Sequence, residues 1–234
     1  MALHTGRQES YRDRRHAGVE LAARLGHFRG RNAVVLALPR GGVPVAYEVA
    51  RAIDAPLDIF VVRKLGMPGH PEFAMGAIAS GGIRIVNQDV VAWYGIPDEI
   101  IDGIAHQEQR ELVRREREYR QGRPLVELSG RIVLLVDDGL ATGSTMKAAV
   151  QAVRAHGPSR IVVAVPVGSP DTCRDFAEVA DEIVCARAPE YFSAVGQWYH
   201  DFSQTTDDEV RRLLQDSARH RDQPAAQGGR HEHS

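Results

Sequence analysis

Short runs of aliphatic residues recur along the chain and are separated by segments in which apolar positions have helical spacing. Five runs, at residues 32–38, 57–62, 132–136, 160–166 and 182–185, have the length of strands. Strand-length runs and helical segments alternate along the chain with short connections, which is typical of a parallel sheet that is covered on both faces. The pattern therefore predicts an α/β fold in which a parallel, Rossmann-like sheet is flanked by helices.

The segments between these strands have the spacing of amphipathic helices. Apolar residues recur every three or four positions at residues 11–28, 43–53, 98–121, 144–155 and 170–180, and these segments are predicted helices. The helix at 98–121 is rich in charge, and we expect it to be a solvated helix with ion pairs along its surface.

Other segments lack a simple strand or helix pattern. Residues 64–86 combine glycine and proline with short apolar runs, and predict a loop followed by a hairpin that turns at Gly81–Gly82. Residues 217–234 are polar and contain glycine, proline and histidine, which is typical of a disordered tail. Residues 1–216 are predicted to form a single domain, of which residues 1–10 are loosely ordered.

The composition changes this picture in few respects. The chain has 234 residues and a formal net charge of −2, so electrostatic binding of nucleic acid is not expected. No apolar run approaches the ~20 residues of a membrane span, and the first residues contain no apolar signal segment. Cys173 and Cys185 lack metal-binding spacing and are predicted to be structural thiols of a reducing compartment. These features predict a cytoplasmic protein that does not bind membranes.

The most distinctive motif is VLLVDDGLATGSTMKAAV at residues 133–150, in which two acids follow a buried strand. Asp137 and Asp138 lie at the carboxyl end of that strand, where parallel α/β sheets bind ligands. The next residues are small or carry hydroxyls, so the backbone N–H groups and the start of the following helix can hold an anion. Paired carboxylates suit two neighbouring hydroxyls, and the whole motif suits a ribose 5-phosphate. The loop residues are Ala141, Thr142, Gly143, Ser144 and Thr145.

Two further loops with ligand-binding character follow predicted strands. Arg40 stands before Gly41 and Gly42 in LPRGGVP, where the glycines permit close approach of the backbone to a ligand. Arg63 and Lys64 follow the second strand in VVRKLGMPGHPEF, and two cations there can neutralise a pyrophosphate. The structural alternatives are a glycine-rich turn with a surface arginine, a solvated basic loop and, for the acidic motif, a capped strand-to-helix turn.

The acidic motif resembles the phosphoribosyl-diphosphate (PRPP) signature of type I phosphoribosyltransferases: an aliphatic strand, two acids and a Thr-Gly loop. The resemblance extends over about residues 32–214, because LPRGGVP and VVRKLGMPGHPEF also match in order. It implies the type I phosphoribosyltransferase fold, with a flexible loop over PRPP and a small hood at about residues 186–202. Leu65 departs from the adenine phosphoribosyltransferase pattern, which has proline at this position.

The resemblance also implies an activity, the Mg²⁺-dependent transfer of a phosphoribosyl group from PRPP to a nitrogen acceptor, such as a nucleobase, with release of pyrophosphate. Asp137 and Asp138 would orient the ribose hydroxyls, and Arg40 and Lys64 would offset charge on the leaving group, which makes these four the implied catalytic residues. Mg²⁺ is the implied cofactor, held mainly by PRPP, with a water-mediated contact to Asp137 or Asp138. The alternative is a non-catalytic PRPP-binding regulator. The implied partners are PRPP and a small-molecule acceptor, and the implied assembly is a homodimer.

All three loops contribute to the implied PRPP site. The peptide bond between Pro39 and Arg40 is expected to be cis or strained in the liganded protein, as it often is in the resembling enzymes. The implied PRPP-binding residues are Arg40, Gly41, Gly42, Arg63, Lys64, Asp137, Asp138, Ala141, Thr142, Gly143, Ser144 and Thr145.

The acceptor site is indicated less clearly. Tyr191, Phe192 and Trp198 follow the last predicted strand, where they either stack on a planar base or pack in the core. Ala141 stands where enzymes that act on 6-oxopurines usually carry an aspartate, which exchanges a proton with the purine. Glu72 on the flexible loop is either a replacement acid or a surface residue. The resemblance therefore predicts an adenine-like acceptor or another amine.

Overall fold

The computed structural model describes residues 9–222, and it has an α/β fold built around a five-stranded parallel sheet. Three antiparallel strands form a second sheet. The strands are β1 (Ala33–Ala37), β2 (Leu57–Ile59), β3 (Val62–Met67), β4 (His70–Ala79), β5 (Ile83–Val86), β6 (Ile132–Val136), β7 (Arg160–Val167) and β8 (Glu182–Arg187). The helices are α1 (Arg14–Leu25), α2 (Gly42–Ile53), α3 (Gln88–Tyr94), α4 (Asp98–Arg120), α5 (Ser144–Arg154), α6 (Pro170–Asp175) and α7 (Asp207–Asp222).

The parallel sheet has the strand order β2-β1-β6-β7-β8 and is covered on both faces, as the alternation of strands and helices predicts. Alternate residues of β1 show the two layers. Ala33, Val35 and Ala37 pack in a cluster with apolar residues of α1, α2, α4 and α7. Val34 and Leu36 pack in a second cluster with residues of α5. The sheet therefore separates two apolar cores.

The register of the central strands aligns the loops that follow them. Ala37, the last residue of β1, pairs with Val136, the last residue of β6. Just beyond, the backbone N–H of Leu38 donates to the Val136 carbonyl at 2.9 Å. The loops after β1 and β6 consequently leave the sheet side by side, at the edge where α/β sheets bind ligands.

The predicted helices are present with small shifts at their ends. α1 begins at Arg14 rather than at residue 11, because the carboxylate of Asp13 caps it by accepting the backbone N–H of His16 at 2.7 Å. A 3₁₀ turn at Gly26–Phe28 follows α1, and another at Phe176–Glu178 follows α6. No helix within residues 9–222 combines the length and the apolar character that crossing a bilayer requires.

The segment predicted to be a loop before the hairpin is itself a hairpin. β3 and β4 pair antiparallel across a turn at Pro68–Gly69, with register irregularities beside Gly66. The predicted turn at Gly81–Gly82 joins β4 to β5, and both glycines have positive φ, +81° and +77°. The first strand pair was missed because the His70–Ala79 sequence has proline and glycine and no regular alternation of apolar residues.

The predicted second strand is divided between the two sheets. β2 ends at Ile59, and the chain enters β3 at Val62. In between, the N–H of Phe60 donates to the Ala37 carbonyl of the parallel sheet, and the N–H of Val61 donates to the Ser80 hydroxyl at 2.9 Å. The apolar run does not reveal this change of partner.

Helix α7 corrects part of the predicted tail. Residues 217–222 continue this helix, whereas residues 223–234 of the predicted tail, like residues 1–8, lie outside the described part of the chain. Val210, Leu213 and Leu214 are buried and anchor α7 on the core. The last turns of α7 are polar, and their composition therefore led to the prediction of a disordered tail.

The two cysteines form a disulfide, so the prediction of structural thiols is wrong. Cys173 of α6 and Cys185 of β8 are bonded, with Cα atoms 6.7 Å apart. They lie 12 positions apart in the sequence, and the fold joins them because β8 runs beside β7, which precedes α6.

Candidate active site

Two glycines pack directly against the two aspartates at the edge of the parallel sheet. A Cβ atom on Gly41 would lie 2.0 Å from a carboxylate oxygen of Asp138. A Cβ atom on Gly42 would lie 2.7 Å from the Val136 carbonyl oxygen and 2.9 Å from the Cα atom of Asp137. A side chain at position 42 would push the two backbones apart, and one at position 41 would displace the Asp138 carboxylate. Glycine is therefore what allows the loop after β1 to touch the acidic loop after β6.

The arginine of the first loop is held by the C-terminal helix. The peptide bond between Pro39 and Arg40 is cis, and the resemblance predicts a cis or strained bond here for the liganded protein. Nη1 of Arg40 lies 3.6 Å from Oδ1 of Asp207 in α7, and the hydroxyl of Tyr119 donates to the same oxygen at 2.6 Å. Burial raises the pKa of Tyr119 to about 12, so this hydroxyl remains a donor at neutral pH. Asp207 and Tyr119 were not predicted, because both are distant in sequence from the motif.

The two aspartates form an adjacent, largely buried pair. The carboxylate of Asp137 accepts a hydrogen bond from the backbone N–H of Asp138 at 2.8 Å. Burial and the negative charge of Asp138 raise the pKa of Asp137 well above its usual value. Burial also raises the pKa of Asp138, while a hydrogen bond from Arg14 opposes that rise. The pair therefore needs further donors if both carboxylates are to be ionised, and neighbouring hydroxyl groups are donors of the required kind.

Arg14 is a residue of the site that the sequence did not reveal. Its Nε donates to Oδ2 of Asp138 at 2.8 Å, and its Nη1 donates to the Ser203 carbonyl at 2.6 Å. The guanidinium also lies over the ring of Phe202, 4.0 Å from its centroid. Only 11% of the Arg14 side chain and 16% of the Asp138 side chain are exposed, so this is a partly buried ion pair. In the sequence Arg14 belongs to a charged run, RDRR, which looks like a solvated helix start.

The Thr-Gly loop presents the N-terminus of α5 to the same edge. Gly143, the N-cap residue, has φ of +71°, and a Cβ atom there would lie 2.5 Å from the ring of Phe176. The carbonyl of Ala141 accepts a hydrogen bond from the Thr172 hydroxyl at 2.7 Å, which ties the loop to α6. Thr142 and Ser144 are exposed. The positive end of the helix dipole and exposed hydroxyls together suit a phosphate group.

The two cations of the third loop face opposite ways, because successive residues of a strand do so. Arg63 of β3 pairs with Glu108 of α4, with Nη2 and Oε2 2.6 Å apart. Lys64 instead lines a cavity of about 350 Å³ together with Ser144 and Lys147 at the start of α5. The structure therefore places Lys64 in a cavity shared with the start of α5, whereas Arg63 is paired with α4. Lys147 is a second cation beside the loop that sequence reasoning missed.

The hood touches the acidic loop through residues other than the three predicted for the acceptor. Tyr191 is 85% exposed, whereas Phe192 and Trp198 pack against a small apolar cluster that includes Tyr11. Tyr199 lies closer to the acids, because its hydroxyl donates to the Asp138 carbonyl at 2.6 Å. Phe192 and Trp198 are thus partly buried against this cluster, and their part in acceptor binding stays a prediction.

The hood also closes on the acidic loop through its backbone. A Cβ atom on Gly139 would lie 2.5 Å from Cγ1 of Val195, so glycine is needed where the 3₁₀ turn Val195–Trp198 meets the loop. The candidate acid Glu72 lies in β4.

Within residues 9–222, no group of three or more histidine, cysteine, aspartate or glutamate side chains is arranged to hold a metal ion.

Comparisons with known proteins place this arrangement in a family. The family model described as "Phosphoribosyl transferase domain" matches residues 16–187. A Mycobacterium tuberculosis protein named "Putative phosphoribosyl transferase Rv0571c" is 51% identical over 202 residues, which are 86% of this chain and 46% of that protein. The chain thus spans about half the length of the curated relatives it matches.

A solved structure agrees with the sequence match. The crystal structure of the protein TT1426 from Thermus thermophilus superposes with a TM-score of 0.79 at 43% sequence identity, covering 88% of this chain and 98% of that one. The matched residues include the parallel sheet, the segments LPRGGVP and VVRKLGMPGHPEF, and the acidic motif. The chain therefore belongs to the phosphoribosyl transferase domain family, and its fold is the type I phosphoribosyltransferase fold.

Proposed function

We propose that the chain transfers the phosphoribosyl group of PRPP to a nitrogen acceptor, with Mg²⁺ present and with release of pyrophosphate. The observation that carries this proposal is the contact of Gly41 and Gly42 with Asp138 and Asp137. This contact joins a loop suited to pyrophosphate to a pair of acids suited to ribose hydroxyls. The uncovered start of α5 completes a site for the three chemical parts of PRPP.

Each part of PRPP has a proposed set of partners in this site. The two aspartates accept hydrogen bonds from the 2- and 3-hydroxyls of the ribose. The pyrophosphate lies against the backbone of Gly41 and Gly42, with Arg40 and Lys64 offsetting its charge. The 5-phosphate lies at the N-terminus of α5. Its proposed partners are Ala141, Thr142, Gly143, Ser144 and Thr145.

The proposed reaction is displacement of pyrophosphate at the anomeric carbon of the ribose. Positive charge develops on the sugar ring in the transition state, and the negative field of Asp137 and Asp138 stabilises it. Binding PRPP at both ends fixes the anomeric carbon relative to the acceptor. Arg14 and Tyr199 hold the acidic loop in place during this step, because both contact Asp138.

The residues at the site fit a metal ion that is held mostly by the substrate. Two adjacent carboxylates are present, and Mg²⁺ commonly takes one or two carboxylates with substrate phosphates and water as its other ligands. When bound, Mg²⁺ would act as a Lewis acid on the pyrophosphate oxygens. The expectations of a homodimer and of a cytoplasmic protein remain predictions.

We expect PRPP with Mg²⁺ to stabilise the folded chain. A ligand at 100 times its Kd adds about 2.7 kcal/mol, which corresponds to roughly 5–10 °C in Tm for a chain of this size. Differential scanning calorimetry with PRPP and Mg²⁺ measures the shift, and the D137N/D138N variant is the control in which it should be much smaller. An unchanged Tm at saturating PRPP and Mg²⁺ would rule out the PRPP site.

The acceptor is expected to be adenine-like or another amine, and not a 6-oxopurine. The side chain of Ala141 has no group that can exchange a proton with a purine, and its backbone carbonyl already accepts a hydrogen bond from the Thr172 hydroxyl. Pyrophosphate release should therefore be at least about tenfold slower with hypoxanthine or guanine than with the preferred acceptor. Rapid turnover of hypoxanthine or guanine would contradict this expectation. Stabilisation by PRPP without turnover of any acceptor would instead indicate the non-catalytic regulator.

A further inference from the structure

A second cavity, of about 410 Å³, lies apart from the candidate active site. It is bounded by β2, by the end of α4 with the loop that follows, and by the last turns of α7. None of the residues assigned to the PRPP site lines it. The polar and charged residues of its lining are Asp58, Arg120, Arg123, Ser217 and Arg221.

The buried charges of this cavity already have partners. The guanidinium of Arg120 donates to Oδ1 of Asp58 at 2.9 Å, to Glu116 at 2.6 Å and to the Ile59 carbonyl at 2.7 Å. The backbone N–H of Val126 donates to the other carboxylate oxygen of Asp58 at 3.1 Å. Arg120 and Asp58 therefore stabilise the fold and leave little capacity for a ligand.

Two other arginines of the cavity have no carboxylate partner among the described side chains. Among the side chains that the structure describes, no carboxylate lies within 4.0 Å of Arg123 or Arg221, and both residues are exposed. Nε of Arg123 donates to the Arg120 carbonyl at 3.2 Å, which orients its guanidinium. The cavity thus carries two positive charges that no described acid compensates.

A third arginine, Arg131, lies outside the lining of the cavity but close enough to Arg221 to be affected by its charge. Nη2 of Arg131 donates to the Ala33 carbonyl at 2.8 Å, but its Nε is buried without a hydrogen-bond partner among the described residues. Burial and the positive charge of Arg221 lower the pKa of Arg131, so these two guanidinium groups repel each other. Arg221 complements the dipole at the end of α7, but Arg123 of the cavity lies outside any helix and needs another explanation.

We propose that this cavity binds a phosphorylated small molecule, with its phosphoryl oxygens paired to Arg123 and Arg221. Guanidinium groups pair with phosphate oxygens through two parallel hydrogen bonds, and the hydroxyl of Ser217 supplies one more donor. A dianion bound to Arg221 offsets part of the repulsion between Arg221 and Arg131. The cavity volume lies within the range of about 300–1,000 Å³ that is usual for small-molecule sites.

The test is calorimetric titration of the full chain at constant ionic strength with inorganic phosphate, adenosine monophosphate and adenosine. The test variant is Arg123→Gln/Arg221→Gln. The matched control is Arg212→Gln/Arg219→Gln, which removes the same charge from exposed positions of α7 that do not line the cavity. The Tm shift with PRPP and Mg²⁺ is also measured on the wild type and both variants. It should be the same in all three, since none of the four replaced arginines is assigned to the candidate active site.

We expect phosphate binding in this cavity to be about tenfold or more weaker in the test variant than in the wild type, because both guanidinium groups that pair with the phosphoryl oxygens are lost, while a phosphate site at the start of α5 stays unchanged. The control variant should bind like the wild type, and adenosine should show no binding that depends on Arg123 and Arg221. Equal binding by the test variant and the wild type would overturn the proposal, and so would equal weakening in the control. A variant-dependent phosphate site without a PRPP shift would support this cavity and count against the proposed function alone.

Discussion

Replacing Asp137 and Asp138 together by asparagine is expected to lower kcat for PRPP-dependent pyrophosphate release by at least about 100-fold. Asparagine keeps the shape of both side chains, and its amide oxygen can still accept the Asp138 backbone N–H that Asp137 accepts now. What is lost is the negative field beside the ribose ring. The loss should therefore appear in kcat rather than only in KM, because the field acts on charge that develops in the transition state.

The measurement is steady-state release of pyrophosphate with the preferred acceptor. The exposed Asp201, replaced by asparagine, provides the control, since it lies in the hood segment and should leave kcat unchanged. If the double variant turns over at the wild-type rate, the two acids are a structural cap of the loop, and the proposed mechanism fails.

The stability of the D137N/D138N variant should depend on pH in a different way from that of the wild type. Burial and the charge of Asp138 raise the pKa of Asp137 above its unfolded value, so the folded state holds its proton at higher pH than the unfolded state does. Stability that depends on this proton is present below the unfolded pKa and is lost as pH rises toward the folded value. The unfolding free energy of the wild type should thus fall relative to that of D137N/D138N as pH increases from about 4.

The elements that could be predicted from sequence are those whose signal is local. β6 has the predicted bounds, Ile132–Val136, because a fully buried strand is a continuous aliphatic run. The β3–β4 hairpin has irregular register, and its sequence shows no regular period. The end of α7 is polar, and the buried residues that hold this helix on the core, Val210, Leu213 and Leu214, all precede it.

The residues of the candidate site also separate into those with a local sequence signal and those without one. Adjacent acids and paired glycines were visible because they are contiguous in sequence, and the structure brings them into contact. The alternation of a strand could have separated Lys64 from Arg63 had the segment been recognised as a strand. The pairing of Arg14 with Asp138 spans 124 positions, and no local pattern in either segment indicates the other.

Arg14 is expected to be the main electrostatic partner of the acidic loop, and replacing it by methionine should destabilise the fold at neutral pH. Methionine keeps an unbranched side chain over Phe202 but leaves Asp138 without a counterion beside Asp137. Removing one partner of a partly buried ion pair costs about 3 kcal/mol, which is roughly 6–12 °C in Tm for a chain of this size. The loss should be smaller near pH 4, where Asp138 can take up a proton instead.

Thermal and denaturant unfolding of four proteins separates this ion pair from the other contacts of Arg14. They are the wild type, Arg14→Met, Asp138→Asn and the double variant, and together they form a double-mutant cycle. The exposed Arg12, replaced by methionine, is the matched control and should change the unfolding free energy by no more than about 0.5 kcal/mol. We expect Arg14→Met to cost much less in the Asp138→Asn background than in the wild type. An equal cost in both backgrounds would show that Arg14 stabilises the hood through Phe202 and the Ser203 carbonyl, and not the acidic loop through Asp138.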